Sequence, residues 1–439
     1  MKCIEDEIPF ELPEGWEWCR FTSVTVNRDS ERKPISSANR TNVAKIYDYY
    51  GASGKIDKID KFIFNEKLLL IGEDGANLVT RSKPIAFFAE GQYWVNNHAH
   101  CIDSTDKLIL EYLCLYINAI SLEKYVTGSA QPKMTQDNMN SILIALPPYE
   151  EQKRLEFQVN HILKTVSTIE NEKEDIVNYI ISAKSKILDL AIRGKLVPQD
   201  SNDEPASVLL ERIRAEKEEL IKQGKIKRDK KESIIFKGED NSYYEKVGVE
   251  IRCIDSEIPF EIPDGWMYER LGNICSIARG GSPRPIENYL TDDENGLNWI
   301  KIGDTEQGGK YIYSTKEKIR PEGLSKTRYV CSGDFLLNNS MSFGRPYILR
   351  TNGCIHDGWL VIGGIEIAFH QDYLYYMLSS SIMYNALSSL AVGSTVKNLK
   401  SDSVKSLLVP IPPLAEQACI SRQIENYFAT MLPIERSLS

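Results

Sequence analysis

The 439-residue chain predicts an α/β (α+β) fold present in two copies and separated by long helices. Three observations predict it. First, CIEDEIPFELPEGWEWC at 3–19 returns as CIDSEIPFEIPDGWMY at 253–268, aligning Cys3 with Cys253, Pro9 with Pro259 and Trp16 with Trp266 at a shift of 250. LPPYEEQ from Leu146 returns as IPPLAEQ from Ile411, and Gly128-Ser129 as Gly393-Ser394, both at a shift of 265. Each copy therefore has matching ends around a middle that differs in sequence and is longer in the second copy, by the difference between those two shifts. Second, those middles hold short apolar runs punctuated by Gly and Asn, which is strand-and-turn chemistry. Third, a heptad pattern follows Pro148. A duplicated frame around two divergent middles suits a protein that reads two different things with one architecture.

In chain order, residues 1–148 form the first domain. Its middle carries the strand candidates KLLLIG (67–72) and PIAFFA (84–89), and it ends in a helical pattern at 108–121, LILEYLCLYINAIS. Residues 149–250 form a central spacer. Leu155, Val159, Ile162, Val166, Ile169, Ile176, Ile180, Ala183, Ile187 and Leu190 step by fours and threes, broken only at Lys173. They predict a helix over 150–193, ending before Gly194, whose seam must lie on another helix. A second helix is expected at 205–223, with Pro205 at its first position and Gly224 after it. KQGKIKRDKKES (222–233) then reads as a basic, polar linker. Residues 251–413 form the second domain, with strand candidates DFLLNN (334–339) and LVIGGI (360–365) and one helical pattern at 371–387. Residues 414–439 form a truncated distal helix. Ile420, Ile424, Tyr427, Met431, Ile434 and Leu438 repeat the heptad positions of the long helix over about half its seam, and Pro433 is expected to kink it.

Composition excludes several classes. Hydrophobic content of 42% and charge of 26% fit an ordinary globular protein. No apolar run has the length of a membrane helix, and MKCIEDEIPF lacks a signal core, so a cytoplasmic location without membrane contact is expected. Nine scattered Cys without a CxxC fit reduced thiols and argue against a structural zinc. The net charge of −9 speaks against a uniformly basic nucleic-acid binder, but local charge decides binding and partner subunits can supply the rest.

Motifs for catalysis are missing. LPPY (146–149) has the outline of the (N/D)PP(Y/F) site of amino-methyltransferases, yet Leu146 and Ile411 stand where Asn or Asp must accept from the target amine. Pro-Pro more simply ends a strand before a helix. GxxxxGK[ST] and a nucleotide-binding glycine loop are absent. His98 and His100 in NNHAH could share one face of a strand as metal ligands, but a bonding role toward a base or the backbone fits better, and Asp74 in GEDGAN reads as turn chemistry. Four loops do carry recognition chemistry: RGGSPRP (279–285), MSFGRP (341–346), GSAQPK (128–133) and GSTVKN (393–398). Gly permits close backbone approach, Ser bonds phosphate oxygens, Arg reads guanine edges, and Asn or Gln reads adenine.

With this layout, the chain resembles the specificity subunit of type I restriction–modification enzymes. The resemblance spans the whole length. It rests on IPFELPEGWEW (8–18) and IPFEIPDGW (258–266), on YYGASGKID (49–57), LLLIGEDGANLVTRSKPIAF (68–87) and WVNNHAH (94–100), on GGSPRP (280–285), on LPPYEEQ and IPPLAEQ, and on ILDLAIRGKLVPQDSNDEPASVLLERI (187–213). It implies two target-recognition domains, each reading one half of a bipartite double-stranded DNA site through the major groove. It also implies an antiparallel coiled coil that sets the gap between the half-sites. No catalytic or metal-binding residue is expected in this chain. Two modification (methyltransferase) subunits using S-adenosylmethionine dock on the helices, and motor-nuclease restriction subunits using ATP and magnesium join them. The expected DNA contacts are Asn77, Arg81, Asn96, Asn97, His98, Ser129, Gln131 and Lys133 in the first domain. In the second they are Arg279, Ser282, Arg284, Asn339, Arg345, Ser394, Lys397 and Asn398. The distal helix is shorter here than the family's, which leaves two expectations: it packs over half its expected length, or a second chain completes the coiled coil by self-association. The rival readings are a fused restriction–methylation enzyme, which lacks its cofactor loop here, and a two-domain protein-binding scaffold, separable by salt-dependent binding to duplex DNA.

Overall fold

The computed structural model describes residues 5–438 apart from 129–130, 227, 229–231, 307, 341–342 and 392–397. Ser129, Ser394 and Lys397 lie outside the described residues. The chain divides into two compact units, Met1–Asn171 and Glu172–Ser439, with the boundary inside one continuous helix, Tyr149–Ile192.

In the first unit the repeated ends meet each other. Strand Glu17–Arg20 pairs antiparallel with Leu143–Leu146, from Glu17↔Leu146 to Arg20↔Leu143. Between them lie two four-stranded sheets. One runs in the order Val26–Asn27, Ala99–Asp103, Leu68–Gly72, Ala86–Ala89. The other runs Gly54–Ile59, Tyr47–Gly51, Gln92–Val95, Phe64–Asn65, with Tyr47–Gly51 and Gln92–Val95 parallel. Strand Leu68–Gly72 is apolar throughout because both of its faces are buried. Leu69 and Ile71 point into a core with Phe21 and with Leu110 and Leu113 of helix Lys107–Ala119. Leu68 and Leu70, on the opposite face, join Phe64, Tyr93 and Val95.

The second unit repeats this plan. Met267–Arg270 pairs with Leu408–Ile411. The first sheet returns as Ser276–Arg279, Trp359–Gly363, Phe335–Asn338, Pro346–Leu349, with Tyr311–Ile312 added at its end. The second returns as Glu317–Ile319, Leu297–Ile300, Gly353–Ile355, Arg328–Val330, with Leu290–Thr291 added. Its parallel pair, Leu297–Ile300 with Gly353–Ile355, occupies the same place. Phe335 and Leu337 face one core and Leu336 faces another, as in the first unit. The divergent middles therefore share one topology.

The repeated motifs form the joint between each domain and its helix. Trp16 Nε1 donates to Glu151 (3.2 Å) and Trp266 Nε1 donates to Glu416 (2.7 Å). Gln152 Nε2 donates to the Pro147 carbonyl (2.9 Å) and Gln417 Nε2 to the Pro412 carbonyl (3.0 Å), tying the Pro-Pro turn to the helix start. Arg20 bridges Glu7 and the Ser141 carbonyl (2.6 Å each), while Arg270 bridges Glu257 (2.6 Å) and the Ser406 carbonyl (2.9 Å). Pro-Pro does end a strand ahead of a helix in both copies.

The long helix covers 44 residues. Its length is roughly 66 Å at about 1.5 Å per residue. Gly194 follows it with φ +66, a left-handed conformation that glycine adopts without strain. In the second unit its last turns run antiparallel to the distal helix, Leu414–Leu438. Lys184 bonds Glu435 (2.6 Å), and Leu188, Ala191 and Ile192 share a core with Ile420 and Ile424. Of the predicted seam, Ile180 is buried, Ile187 packs beside this core and Leu155 against the first unit's core, while the stretch from Ile162 to Ile176 is bare. Ile162 and Ile169 are 57% and 58% exposed, and Val166 and Ile176 are exposed too. The distal helix continues through Pro433, with Tyr427 and Ile434 exposed.

Two expectations need correction, and one element was not foreseen. After the basic run comes an antiparallel three-stranded sheet, Ser233–Lys237, Tyr243–Val247 and Glu250–Cys253, anchored by the Glu245 bonds to Arg252 and Arg270. The single helix at 371–387 is two, Gln371–Ser379 and Ser381–Leu390. Buried Ser380 breaks it, because its hydroxyl donates to the Met377 carbonyl (2.7 Å) and caps the Met383 N–H (3.3 Å), offering the backbone partners other than the helical ones. Pro205 precedes the helix Ala206–Lys222 as its N-cap rather than opening it.

Candidate nucleic-acid interface

In the second unit three segments converge where the two sheets meet: 279–285, 338–340 and 355–358. Gly280 and Gly281 let the first loop lie on the others, since a Cβ on Gly280 would stand 2.3 Å from the His356 carbonyl and one on Gly281 2.6 Å from the Lys326 carbonyl, approaches open only to a residue without a side chain. The Gly280 and Gly281 N–H groups bond the Trp359 (2.9 Å) and Ile355 (3.2 Å) carbonyls. Asp357 is the hub. Its Oδ1 accepts from the Ser282 hydroxyl (2.7 Å), and its carbonyl accepts from Arg279 Nε (2.9 Å) and Asn339 Nδ2 (2.9 Å). Its Oδ2 lies 3.5 Å from Arg284 and 3.9 Å from Arg279. The Ser282 bond holds the carboxyl below its ordinary range against the upward push of burial, with His356 and Arg279 assisting. His356, one residue earlier, is pushed down from its ordinary value by burial and accepts the Ile302 N–H at Nε2 (3.1 Å). Arg328 joins the patch through its bond to the Arg279 carbonyl (3.3 Å).

The first unit builds the same place with other residues. Loop 72–77 meets segments 96–98 and 131–134: Glu73 N–H bonds the His98 carbonyl (2.9 Å), and Met134 N–H bonds the Glu73 carbonyl (2.8 Å). In the second unit Asn339 N–H bonds the Gly358 carbonyl (3.0 Å), and Leu399 N–H bonds the Asn339 carbonyl (2.9 Å). Sheet register fixes the correspondence. Gly72 pairs with Ala99 as Asn338 pairs with Trp359, so Asn97 and Asp357 occupy one position in the two copies. Lys133 likewise corresponds to Asn398.

Charge is distributed differently. Lys133 Nζ bonds Glu73 (3.0 Å), Arg32 bonds Glu73 (2.5 Å) and Asp29 (3.4 Å), and His98 Nδ1 meets Asp74 (2.7 Å). Buried His100 has Asp29 on Nδ1 (2.6 Å) and the Met134 carbonyl on Nε2 (3.0 Å). Burial pushes the Asp29 carboxyl up, but the His100 bond and charge, the Cys101 N–H and Arg32 outweigh it and hold it below its ordinary range. Asp29, Glu73 and His100 place ligand atoms within 4.8 Å of one another. Both His100 ring nitrogens are already engaged within the protein and Arg32 stands against both carboxylates, so the three residues pair with their neighbours rather than presenting an open ligand set. The His98/His100 metal pair is likewise not formed, because His98 sits in an exposed turn with its own carboxylate.

Several predicted contacts prove to be scaffolding. The Arg81 guanidinium caps helix Lys107–Ala119, bonding the carbonyls of Ile120, Asn118 (2.6 Å) and Ile117 (3.2 Å), and so is spent on the helix end. Asn77 closes its own turn through Lys83 (2.9 and 3.1 Å). Asn96 is buried and holds the His98 N–H (2.8 Å), and Asn339 is buried behind Asp357. Asn97, His98, Gln131, Lys133, Arg279, Arg284, Arg345 and Asn398 are exposed, and Ser282 is half-buried. Sequence reading missed Asp357, Arg328 and Arg32. Asp357 was findable by setting WVNNHAH beside CIHDGW.

Two copies of one two-sheet module, each presenting a convergent loop cluster and each jointed to a helix, define a duplicated recognition protein. The chain belongs to the type I restriction modification DNA specificity domain family, whose model matches residues 13–187 and again 263–438. It is 27% identical to the Type I restriction enzyme EcoEI specificity subunit of Escherichia coli, over 98% of this chain and 80% of that one. It is 23% identical to a putative type I restriction enzyme specificity subunit of Haemophilus influenzae, over 94% and 87% of the two chains. In fold it is similar to a chain from a structural study of complex assembly and conformational transition in the type I R-M system, with a TM-score of 0.56, 16% identity, and 98% and 94% of the chains covered. The function that follows is DNA sequence specificity in a type I restriction–modification system. Among the described residues no helix is long and apolar enough to cross a membrane.

Proposed function

We propose that each domain reads one half of a bipartite duplex site through its loop cluster, and that the helices set the gap and dock two methyltransferase subunits. The observation that carries this reading is the repeated topology: the same loops converge twice, on different side chains. In this reading the chain contributes no catalytic group. Adenine methylation with S-adenosylmethionine belongs to the modification subunits, and ATP- and magnesium-dependent motor and nuclease activity to the restriction subunits, all in the cytoplasm. Phosphate contacts position the complex and base-edge contacts specify the site. The DNA-facing residues are Asn97, His98, Gln131 and Lys133 in the first unit, and Arg279, Ser282, Arg284, Arg345 and Asn398 in the second. Ser129, Ser394 and Lys397 belong to the same loops. The test is binding of the chain with its modification subunits to duplexes whose half-sites are moved apart one base pair at a time. One spacing is expected to bind best, with each added pair turning one head ~34° around the helix. Equal binding at every spacing would refute the ruler.

The bare seam supports a further partner, a second copy of this chain. In the first unit Phe10, Trp16, Tyr112, Leu155, Val159 and Leu163 line an open apolar groove of about 910 Å³. Its counterpart in the second unit is filled. Arg193 lies over Phe260 (4.9 Å), Gly194 packs on Pro263 and Trp266, and Ala206 N–H bonds the Gly265 carbonyl (2.8 Å). Phe10 is 49% exposed and Phe260 only 7%.

A further inference from the structure

The loop cluster of the second unit contains a group that a phosphate-binding patch does not need. Arg279 and Arg284 flank one carboxylate, Asp357, which is 39% exposed, and Arg328 bonds the Arg279 carbonyl beside them. Toward a phosphate this carboxylate is repulsive and offers no donor. Toward base edges it has a defined use, because a carboxylate only accepts and the major-groove donors of DNA are the exocyclic amino groups of cytosine and adenine. Its carbonyl is held by Arg279 Nε and Asn339 Nδ2, and the peptide just before it is packed against Gly280, where a Cβ would stand 2.3 Å from the His356 carbonyl. Its carboxylate is oriented by Ser282 at 2.7 Å but only loosely paired with Arg284 and Arg279 at 3.5 and 3.9 Å. A rigid mount with a free acceptor differs from the tight carboxylate pairs of the first unit, such as Glu73 with Arg32 at 2.5 Å. Sheet register places Asn97 at the same position in the first unit, where it is also exposed and also carries an acceptor.

We propose that Asp357 is a specificity-determining residue of the second half-site, accepting from the exocyclic amino group of one cytosine or adenine. Ser282 and Asn339 position it, and Arg279 and Arg284 turn to flanking phosphates when DNA arrives. Asn97 does the matching work in the first half-site. This inference rests on the DNA-reading role proposed above.

The test uses the full chain with its modification subunits and a pool of duplexes randomised through both half-sites. Asp357→Ala, which removes the acceptor, is expected to lower discrimination at one base position of one half-site by about 10-fold or more, with non-specific binding unchanged or tighter because a negative charge has gone. Asn97→Ala is expected to relax one position of the other half-site only. Ser282→Ala is expected to weaken the same position as Asp357→Ala, by less. An unchanged motif in Asp357→Ala, or a uniform loss of affinity at all positions, would overturn the inference. The double variant Arg279→Ala/Arg284→Ala separates the layers. If it weakens all DNA binding and flattens the salt dependence while Asp357→Ala leaves the motif intact, only the role of Asp357 fails. If it too has no effect, the DNA-reading assignment of these loops fails as well. Thermal melting of each variant at wild-type temperature excludes simple loss of fold.

Discussion

At the residue scale, buried ion clusters hold both modules together and make their stability depend on acid. Glu245 is almost fully buried, and desolvation pushes its carboxyl up. The bonds to Arg270, Ser233 and Arg252 outweigh that push and bring it to about 2. A carboxyl lowered on folding stabilises the native state above its unfolded value, and that contribution disappears as pH falls through the folded value. For Glu245 the window is from roughly 4.5 down to 2, and the amount is about 3 kcal/mol. Asp29 acts in the same direction in the first unit. Calorimetry is therefore expected to show both units losing stability steeply below about pH 4. Glu245→Gln should lower the second unit's transition at pH 7 and remove much of its acid sensitivity, leaving the first unit's transition in place. An acid profile in Glu245→Gln identical to that of the parent would contradict the assignment. None of these clusters was legible in the sequence, because key members lie far apart in the chain: Asp29 with His100, and Arg270 with Glu245. By contrast Arg279, Ser282 and Arg284 are neighbours in one loop, which is why that part of the interface could be read directly. Arg81 misled because an arginine beside a Gly-rich loop looks the same in sequence whether it faces a ligand or caps a helix.

At the element scale, the heptad rhythm gave the long helix almost to the residue, since a 3.5-residue period and a terminal glycine are local signals. It could not say which stretch of the seam is covered. Ile180 and Leu188 are buried, whereas Ile162, Val166 and Ile169 are exposed on the same helix. The sheet at 233–253 was missed for a related reason: its strands are half exposed and charged, and follow a basic run that reads as a linker. An apolar seam left in water favours a partner, because each fully buried Leu, Ile or Val side chain contributes ~1.5–3 kcal/mol. Sedimentation of the purified chain is expected to show a concentration-dependent dimer, and Leu163→Glu with Val166→Glu to return it to monomer. These sites are exposed, so the melting temperature of the monomer should hold. A monomer at all concentrations, with amides of 155–170 as protected from exchange as those of 180–192, would remove the need for a second copy.

At the scale of the whole molecule, the two repeated ends and the two divergent middles have separate jobs. The ends fold into the same joint twice, with Trp16–Glu151 matching Trp266–Glu416 and Arg20–Glu7 matching Arg270–Glu257. That is why sequence identity survives there. The middles keep only the topology, which identity does not report. Their shared parallel pair joins strands that are distant in the chain, Tyr47–Gly51 with Gln92–Val95 and Leu297–Ile300 with Gly353–Ile355. No local pattern announces such pairing. Because the Phe21 N–H bonds the Ile142 carbonyl (2.9 Å) as the Leu271 N–H bonds the Leu407 carbonyl (2.9 Å), each middle is bounded by equivalent backbone contacts. The bounds define a graft. Replacing residues 21–142 by 271–407 leaves both terminal strand pairs, both Trp–Glu bonds and both Arg bridges intact. The resulting chain is expected to fold and to select a site whose two halves carry the same base sequence, read by binding selection from a randomised pool. If the graft folds, as judged by calorimetry, yet still selects the original unequal halves, recognition does not reside in the middles. Specificity would then have to be sought in the frame.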